Sequence, residues 1–319
     1  MPTTNLDPQA VEFLRRLERP GATPYHLLPV EAQRTATEKM TIAFRPPAPE
    51  VAAAEEGRMS RPAELGGSLP YRLYRPRESD FTERLPALVW YHGGGWTVGS
   101  IAIYDVLCRQ LANLSGCAVV SVGYRLAPEH PFPAAPHDAL FAFDWAHEHA
   151  PRLGIDGGRL AVGGDSAGGN LAAVTALACR DRGGAAPAFQ LLVYPCTDQR
   201  GISASHRLYA DGFLLTQDTL AAFRANYLPD ARDHTDWRAS PLLARSLAGL
   251  PPALVLTAGH DPLVEDCRAY AERLRAEGVK VVYSEYAGQI HSFFVLGGVI
   301  EAANRAVREA AAALAQALF

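Results

Sequence analysis

The five residues Gly164-Asp165-Ser166-Ala167-Gly168 follow the pattern Gly-x-Ser-x-Gly, which is typical of a serine nucleophile held at a sharp turn. A short apolar run at 160–162 precedes the motif and strong helix formers at 171–178 follow it, so Ser166 is predicted at a strand-to-helix junction. The glycines leave room for a strained backbone and for close packing of helix against strand. The helix N-terminus would favour negative charge near the hydroxyl. Taken alone, the motif could instead be a glycine-rich turn that binds a phosphate, or binds nothing.

A second motif, His92-Gly93-Gly94-Gly95-Trp96, comes directly after an apolar run at 87–91. Acyl transfer passes through an intermediate with a negatively charged oxygen, and losing one donor to that oxygen typically costs about 3 kcal/mol of barrier. We expect the backbone N–H groups of Gly94 and Gly95, together with that of Ala167, to form such an oxyanion hole. A flexible turn would explain the glycines but not His92, which we expect to hold the loop by hydrogen bonding rather than to act as a base.

Two further polar residues follow later apolar runs. Asp261 comes after the run at 253–257, and His291 lies in a predicted loop after a run at 279–283. The chain order Ser, Asp, His differs from that of chymotrypsin-like and subtilisin-like enzymes. A loop histidine is often structural and an Asp-Pro pair is often a helix start, but both lie where an open sheet collects its ligand groups.

These residues predict nucleophilic catalysis. A serine hydroxyl is a poor nucleophile unless a neutral imidazole removes its proton, and His291 would do this for Ser166 and then protonate the leaving alcohol. Asp261 would hold the imidazole in the correct tautomer. Glu265 and Asp266 lie one helical turn further on and are weaker candidates for the acid.

The surrounding pattern predicts elements that bring these residues together. Short apolar runs alternate with helix-like segments, which indicates a mostly parallel sheet with helices on both faces, a doubly wound α/β fold. An edge strand is predicted at 69–74. The remaining predicted strands are at 87–91, 118–122, 160–162, 190–194, 253–257 and 279–283, and the helices at 106–115, 136–148, 167–182, 261–277 and 300–318.

Two segments fall outside this alternation. Asp7 and Pro8 predict the start of an amphipathic helix that ends near Arg19, after which the pattern is weak to about residue 56. Between 198 and 238 there is no strand candidate, and aromatic residues are scattered among polar ones. We expect these segments to form a cap over the site, since long ordered insertions are usually functional, although a plain surface excursion is the alternative.

Composition excludes several classes of protein. The chain has 319 residues, 48% of them hydrophobic, and a formal net charge of −4. Nucleic-acid and anionic-membrane surfaces need concentrated positive charge, which is absent. No apolar run is long enough to span a bilayer, and residues 1–9 do not resemble a secretory signal, so we expect a cytoplasmic protein.

Neither cysteines nor histidines predict a metal site. The five cysteines are widely spaced without a Cys-x-x-Cys pair, so we expect buried, reduced thiols; they are Cys108, Cys117, Cys179, Cys196 and Cys267. His130, His137, His147 and His149 lie near acidic residues, but the last two would point to different faces of a helix. We therefore expect no metal site.

Taken together, the motifs resemble those of the hormone-sensitive-lipase-like esterases, the bacterial group called family IV. The matching residues are 92–96, Tyr124-Arg125-Leu126-Ala127-Pro128-Glu129, 164–170, Asp261-Pro262-Leu263 and the His291 loop. The resemblance covers about residues 70 to 300. His92, Gly93, Gly164, Asp165 and Gly168 belong to its supporting motifs.

The resemblance implies an α/β-hydrolase fold with about eight strands and a helical cap. It places the catalytic domain at 51–199 and 237–319 and the cap at 1–50 and 200–236. It implies cofactor-free hydrolysis of short- to medium-chain esters, oxyanion donors at Gly94, Gly95 and Ala167, structural roles for Arg125 and Glu129, and a homodimer through the last strand and helix. Two departures stand out: the family usually has His-Gly-Phe where this chain has His291-Ser292-Phe293, and often an acidic or aromatic residue where Gly259-His260 precede Asp261.

Two alternative functions remain open at this point. Plant gibberellin receptors resemble the family but lack the catalytic histidine, which this chain has as His291. An amidase or peptidase could use the same triad, and no sequence feature separates it from an ester hydrolase.

Overall fold

The computed structural model describes residues 5–18, 20–79 and 82–319. Eight strands form one sheet in the spatial order β1-β2-β4-β3-β5-β6-β7-β8. Strand β2 pairs antiparallel with β1 and β4, and the pairings from β4 to β8 are parallel. The strands are β1 Ala53–Met59, β2 Leu69–Arg75, β3 Leu85–Tyr91, β4 Ala118–Val122, β5 Ile155–Asp165, β6 Phe189–Val193, β7 Ala253–His260 and β8 Val281–Ile290.

Ten α-helices are present in the described part of the chain. They are α1 Pro8–Leu17, α2 Val30–Phe44, α3 Asp105–Ser115, α4 Ala134–Glu148, α5 Ala150–Leu153, α6 Ala167–Arg182, α7 Ala204–Leu208, α8 Gln217–Tyr227, α9 Val264–Ala276 and α10 Glu301–Leu318. Helices α3 and α10 pack on one face of the sheet, and α4, α6 and α9 pack on the other. The predicted doubly wound α/β fold is therefore confirmed.

The central strands are buried because both faces of the sheet are covered. Every residue of β3 is buried. Val89 and Tyr91 belong to the core on one face, whereas Leu88 and Trp90 belong to the core on the other. Continuous apolar runs are what such strands require, which is why the sequence revealed them.

The prediction that 69–74 forms an edge strand is wrong. Strand β2 lies second in the sheet, and the edge is β1, whose Glu55 and Glu56 are exposed. An edge strand that faces solvent needs no apolar run, and charged side chains there discourage pairing with other chains. The hydrophobic pattern therefore did not predict strand β1.

Other boundaries also differ from those predicted. Strand β8 continues to Ile290, so His291 follows the strand directly instead of lying in a loop after residue 283. Helix α9 begins at Val264, which leaves Asp261 in the preceding turn. Helix α1 begins after Asp7, whose side chain accepts the Gln9 N–H, as predicted, and ends at Leu17. The predicted end near Arg19 lies outside the described residues.

The two segments outside the sheet pattern are helical. Helix α2 lies where the sequence showed only a weak pattern, because its fully buried residues are polar, Gln33 and Thr41. The segment 198–238 contains no strand, as expected, and holds α7, α8 and a 3₁₀ turn at Ala231–Thr235. No helix among the described residues has the length and apolar character needed to cross a membrane.

Candidate active site

Four parallel strands end at the same edge of the sheet, and a motif residue follows each of them. His92 follows β3, Ser166 follows β5, Asp261 follows β7 and His291 follows β8. Polar side chains that are far apart in sequence therefore converge at the carboxyl ends of the strands.

Ser166, His291 and Asp261 form one continuous line of contacts. The Nε2 atom of His291 lies 3.0 Å from Oγ of Ser166, and its Nδ1 atom lies 2.6 Å from Oδ2 of Asp261. Asp261 is fully buried and its other carboxylate oxygen accepts the Leu263 N–H at 2.9 Å. This is the geometry in which a carboxylate orients an imidazole and the imidazole takes a proton from a hydroxyl.

The weaker acid candidates have other partners. Asp266 contacts His206 Nε2 at 2.8 Å, and Glu265 accepts the Ser205 N–H at 2.9 Å. Asp261 is thus the acid that meets His291.

Ser166 occupies a strained turn between β5 and α6. Its backbone has φ +54°, a region that non-glycine residues rarely adopt. The strain persists because close packing fixes the turn: a side chain on Gly168 would place its Cβ 1.9 Å from the Tyr91 carbonyl oxygen. The glycines of the motif therefore let helix α6 approach the sheet closely enough to present the hydroxyl.

The glycine loop after β3 and the first residue of α6 carry backbone donors that have no backbone acceptor in the described part of the chain. The N–H groups of Gly94, Gly95 and Ala167 have no backbone acceptor among the described residues. Gly94 and Gly95 have φ of +118° and +57°, and they line the same cavity as Ser166. Gly95 also lies against the ring of Phe223, which would meet a Cβ at 2.2 Å.

Asp165 and His92 hold this loop in place. Asp165 accepts the Gly93 N–H at 2.8 Å and the Tyr104 hydroxyl at 2.8 Å. The Nδ1 atom of His92 lies 2.8 Å from the Gly93 carbonyl oxygen, and its ring stacks on Tyr124 with centroids 4.4 Å apart. Among the described residues, no hydrogen bond joins the His92 ring to Ser166.

Burial shifts the pKa values of these two loop residues in opposite senses. Desolvation lowers the pKa of His92 from its ordinary 6.5 to about 4, although the hydrogen bond with the Gly93 carbonyl oxygen acts to raise it. Desolvation raises the pKa of Asp165 from 3.8 to about 6, although the Tyr104 and Gly93 hydrogen bonds favour the carboxylate. Both residues are therefore held closer to their neutral forms than in water.

Replacing His92 with asparagine is expected to make the free energy of unfolding fall less between pH 7 and pH 5. Below pH 6.5 the unfolded chain protonates His92 while the folded chain does not, so this residue makes stability fall as the pH falls. The difference in unfolding free energy between pH 7 and pH 5 should shrink by about 2 kcal/mol in His92→Asn, since the histidine contribution disappears.

Urea denaturation of both proteins at the two pH values measures this difference. Asp165 acts in the opposite direction, because its raised pKa adds stability as the pH falls, but it is present in both proteins and cancels. An unchanged difference would contradict the assignment of a buried neutral imidazole.

The family-motif residues Arg125 and Glu129 make ion pairs that do not involve Ser166, His291 or Asp261. Arg125 binds the buried Asp138, and Nη2 of the arginine lies 2.7 Å from Oδ1 of the aspartate. Glu129 pairs with Arg34 of α2 at 2.7 Å, and Arg34 Nε also donates to the Thr97 carbonyl oxygen at 3.0 Å. Helix α2 is thus tied to the glycine loop.

The two departures from the family pattern have visible consequences. Ser292 lines the cavity with φ +66°, where glycine would be relaxed. His260 is buried and packs against Tyr209 and Phe213, which belong to the segment between β6 and β7.

Replacing Ser292 with glycine is expected to raise the free energy of unfolding by up to about 1 kcal/mol, because relief of the left-handed strain exceeds the added flexibility of the unfolded chain. Ser292→Ala is the matched control, since it removes the hydroxyl but keeps the Cβ. Thermal denaturation compares them, and a glycine variant no more stable than the alanine variant would refute the strain argument.

A cavity of about 380 Å³ opens above Ser166. Its walls include residues that sequence reasoning did not single out: Leu17, Tyr25 and Met40 from the N-terminal segment, and His206, Leu220 and Arg224 from α7 and α8. Nothing local in the sequence marks these side chains as neighbours of Ser166; only the weak signal of an aromatic-rich, strandless insertion pointed to the region.

The structure gives no grouping of metal ligands within residues 5–18, 20–79 and 82–319. The helical histidines have local partners: His149 Nδ1 contacts the Trp145 carbonyl oxygen, and His147 Nδ1 contacts that of Gly157. All five cysteines are buried and free.

Comparison with known proteins identifies the family. The profile of the alpha/beta hydrolase fold family matches residues 88–295. Ethyl acetate hydrolase of Pseudomonas putida is 38% identical over 98% of this chain and 100% of its own length. Carboxylic ester hydrolase LipN of Mycobacterium tuberculosis is 48% identical over 73% of this chain, a match that spans 63% of LipN.

Solved structures agree over nearly the whole chain. An alpha/beta hydrolase enzyme from the metagenome of Lake Arreo, Spain, superposes with a TM-score of 0.94 at 43% identity, covering 98% of each chain. The hyperthermophilic esterase of Pyrobaculum calidifontis gives a TM-score of 0.90 at 40% identity, again over 98% of each. The chain belongs to the α/β-hydrolase fold family and, within it, to the hormone-sensitive-lipase-like esterases, as its motifs predicted.

Proposed function

We propose that this protein hydrolyses short- to medium-chain carboxylic esters through an acyl-enzyme intermediate formed on Ser166. The observation that carries the proposal is the unbroken line from Asp261 to His291 to Ser166, with separations of 2.6 and 3.0 Å. The names of the relatives, which include an ethyl acetate hydrolase and a carboxylic ester hydrolase, support an ester as the bond that is cleaved.

In the proposed reaction, His291 Nε2 takes the proton of the Ser166 hydroxyl as Oγ attacks the ester carbonyl carbon. The imidazolium then protonates the alkoxide leaving group, and the alcohol departs from the acyl-enzyme. A water molecule then hydrolyses the acyl-enzyme. His291 takes a proton from the water as the resulting hydroxide attacks the acyl carbon, and this proton returns to Ser166 Oγ as the carboxylic acid leaves.

Asp261 has a positioning role in this scheme. Its carboxylate accepts a hydrogen bond from the protonated Nδ1 of His291, so the lone pair is on Nε2, facing the serine. Its burial also favours the imidazolium that forms transiently, because a buried negative charge is poorly screened.

The N–H groups of Gly94, Gly95 and Ala167 are the proposed donors to the tetrahedral intermediate. None of the three N–H groups has a backbone acceptor among the described residues, and Gly94 and Gly95 line the cavity, so these donors are available when negative charge develops on the substrate oxygen.

We propose a division into a catalytic domain at 51–199 and 237–319 and a cap at 1–50 and 200–236. Contacts of the described residues support it: Tyr25 and Met40 line the cavity, Phe223 lies against Gly95, and the rings of Tyr25 and Phe223 meet with centroids 6.3 Å apart. A cap in this position would exclude water and limit the length of the bound acyl group.

A series of p-nitrophenyl esters of graded acyl length tests the function. The cavity volume lies near the lower end for small-molecule sites, so we expect kcat/KM to peak at about eight carbons or fewer. Labelling by an organophosphate and mapping of the modified peptide should identify Ser166. Preferential turnover of long, emulsified triglycerides would refute the proposed substrate class.

A matched ester and anilide separate this function from that of an amidase, whose poorer leaving group needs stronger protonation. Faster anilide hydrolysis would overturn the ester proposal. The receptors that resemble this family lack the catalytic histidine, whereas here His291 is present and contacts Ser166, which favours an enzyme over a receptor.

We also propose a cytoplasmic location, supported by five buried cysteines that form no disulfide. A homodimer through β8 and α10 stays a prediction, and sedimentation equilibrium tests it.

A further inference from the structure

One wall of the cavity above Ser166 is polar. Asp198, Gln199, His206 and Arg224 make up this polar wall, and apolar side chains such as Leu17 and Met40 also line the cavity. Neither the triad nor the oxyanion donors use these polar groups.

Arg224 is the unusual member of the polar wall. It lies on α8 next to Phe223, the residue that covers Gly95. Its Nε is buried and has no hydrogen-bond partner, and no carboxylate among the described residues lies within 4.0 Å of its guanidinium. By contrast, Arg61 and Arg125 both bind Asp138. A partly buried cation without a counter-charge is costly, so its retention points to a ligand.

The acidic groups of this region are already paired. Asp266 contacts Nε2 of His206 at 2.8 Å. The Asp198 carboxylate accepts hydrogen bonds from Nε of Arg200 at 3.0 Å and from its Nη2 at 2.7 Å, and it also accepts the Arg200 backbone N–H. Neither carboxylate forms an ion pair with Arg224 within 4.0 Å.

Arg224 and His206 approach the same point beside Gly201. A Cβ on Gly201 would lie 3.1 Å from Nη2 of Arg224 and 3.6 Å from Nδ1 of His206. Nδ1 has no hydrogen-bond partner among the described residues. Gly201 has φ +62° and no side chain, so it places no Cβ at this point.

We propose that Arg224 binds a carboxylate carried by the substrate away from the ester bond, so that the enzyme prefers esters with a distal carboxylate over neutral esters of equal length. A guanidinium offers a planar pair of N–H donors that matches a carboxylate, and charge-assisted hydrogen bonds of this kind are the strong ones. His206 lies beside the same site and closes it on one side. This inference rests on the proposed ester hydrolysis.

Two matched pairs of substrates test the inference and show which half of the ester reaches Arg224. Monoethyl adipate against ethyl hexanoate places the carboxylate on the acyl chain, and 6-acetoxyhexanoate against hexyl acetate places it on the alcohol. For each pair the readout is the ratio of kcat/KM for the charged ester to that for the neutral ester, with active sites counted by organophosphate titration.

In at least one pair, Arg224→Met should lower this ratio by about tenfold or more, the loss typical of a charge-assisted hydrogen bond. Arg224→Lys should lower it less, since it keeps the charge without the planar fork. Arg224→Gln is a second neutral variant in case the methionine protein does not fold. Arg207→Met is the control, because it removes a positive charge from an exposed position on α7, outside the cavity.

The inference is overturned if neither pair shows a lower ratio in the neutral Arg224 variants, or if Arg207→Met lowers the ratio equally. The four esters together report on the proposed function separately. If wild type hydrolyses these esters but shows no Arg224-dependent ratio, only the inference fails; if it hydrolyses none of the four, the proposed function fails.

Discussion

Replacing Ser166 with alanine is expected to lower kcat for ester hydrolysis by about 10⁵- to 10⁶-fold, the size of effect seen when the nucleophile of a serine hydrolase is removed. Without Oγ there is no atom 3.0 Å from His291 Nε2 to receive the acyl group. The remaining rate would come from oxyanion donors acting on a water molecule, which is a far weaker route.

The fold should survive this substitution. Ser166 Oγ has one hydrogen bond, to His291, and the turn is fixed by the backbone bonds of Ser166 N–H to the Val193 carbonyl oxygen and of Cys196 N–H to that of Ser166. Alanine carries the same Cβ in the same strained conformation, so circular dichroism and the melting temperature should match wild type.

Turnover of p-nitrophenyl butyrate, with peptide mapping after organophosphate treatment, measures the effect. Ser203→Ala is the control, since Ser203 lies at the start of α7 and does not line the cavity. If Ser166→Ala kept substantial activity, or if the label appeared elsewhere in the variant, the nucleophile would be a different residue.

Replacing Asp261 with asparagine is expected to lower kcat by about 10³- to 10⁴-fold. An asparagine side chain has an NH₂ group as well as an oxygen, and the Leu263 N–H at 2.9 Å already requires an acceptor at one of the two positions. The NH₂ group would therefore face His291 Nδ1 and donate to it. The proton of the neutral imidazole would then be on Nε2, which could no longer accept the proton of Ser166.

The loss should be partly recovered at high pH. Hydroxide can deprotonate Ser166 or the attacking water without help from the imidazole, so the deficit should shrink as pH rises above neutrality. The rate profile of Asp261→Asn from pH 6 to 10 measures this. KM should change less than kcat, because Asp261 is buried and reaches the substrate only through His291.

Glu265→Gln separates this role from a general effect of removing an acid near the site. Glu265 accepts the Ser205 N–H and has no hydrogen bond with His291, so the variant should keep kcat within about tenfold of wild type. Equal losses in Asp261→Asn and Glu265→Gln would contradict the assignment of Asp261.

The limits of sequence patterning are clearest at the edges of the molecule. Strand β1 carries Glu55 and Glu56 on an exposed edge, and α2 buries Gln33 and Thr41. Hydrophobic periodicity detects an element only when burial selects apolar residues, and in both of these the buried or exposed positions are polar. The same limit shortened the prediction for β5, whose first residues include Asp156 and Arg159.

The sequence by itself determined the order of the central elements and the identity of the proposed triad. Buried parallel strands require apolar runs, and Ser166, Asp261 and His291 each follow such a run, at the edge where parallel strands end together. Even the use of His92 to hold the glycine loop could be predicted, because its partner, the Gly93 carbonyl, is its neighbour in the chain.

Only the tertiary structure decided which side chains line the cavity above Ser166. Tyr25, Phe223 and Arg224 reach the cavity from segments that are far from Ser166 in sequence and carry no motif. Among the described residues no carboxylate pairs with Arg224, and the pairing of Asp266 with His206 joins two separate helices. Local patterns encode which elements form, but the charge balance of a cavity is the sum over all the elements that surround it.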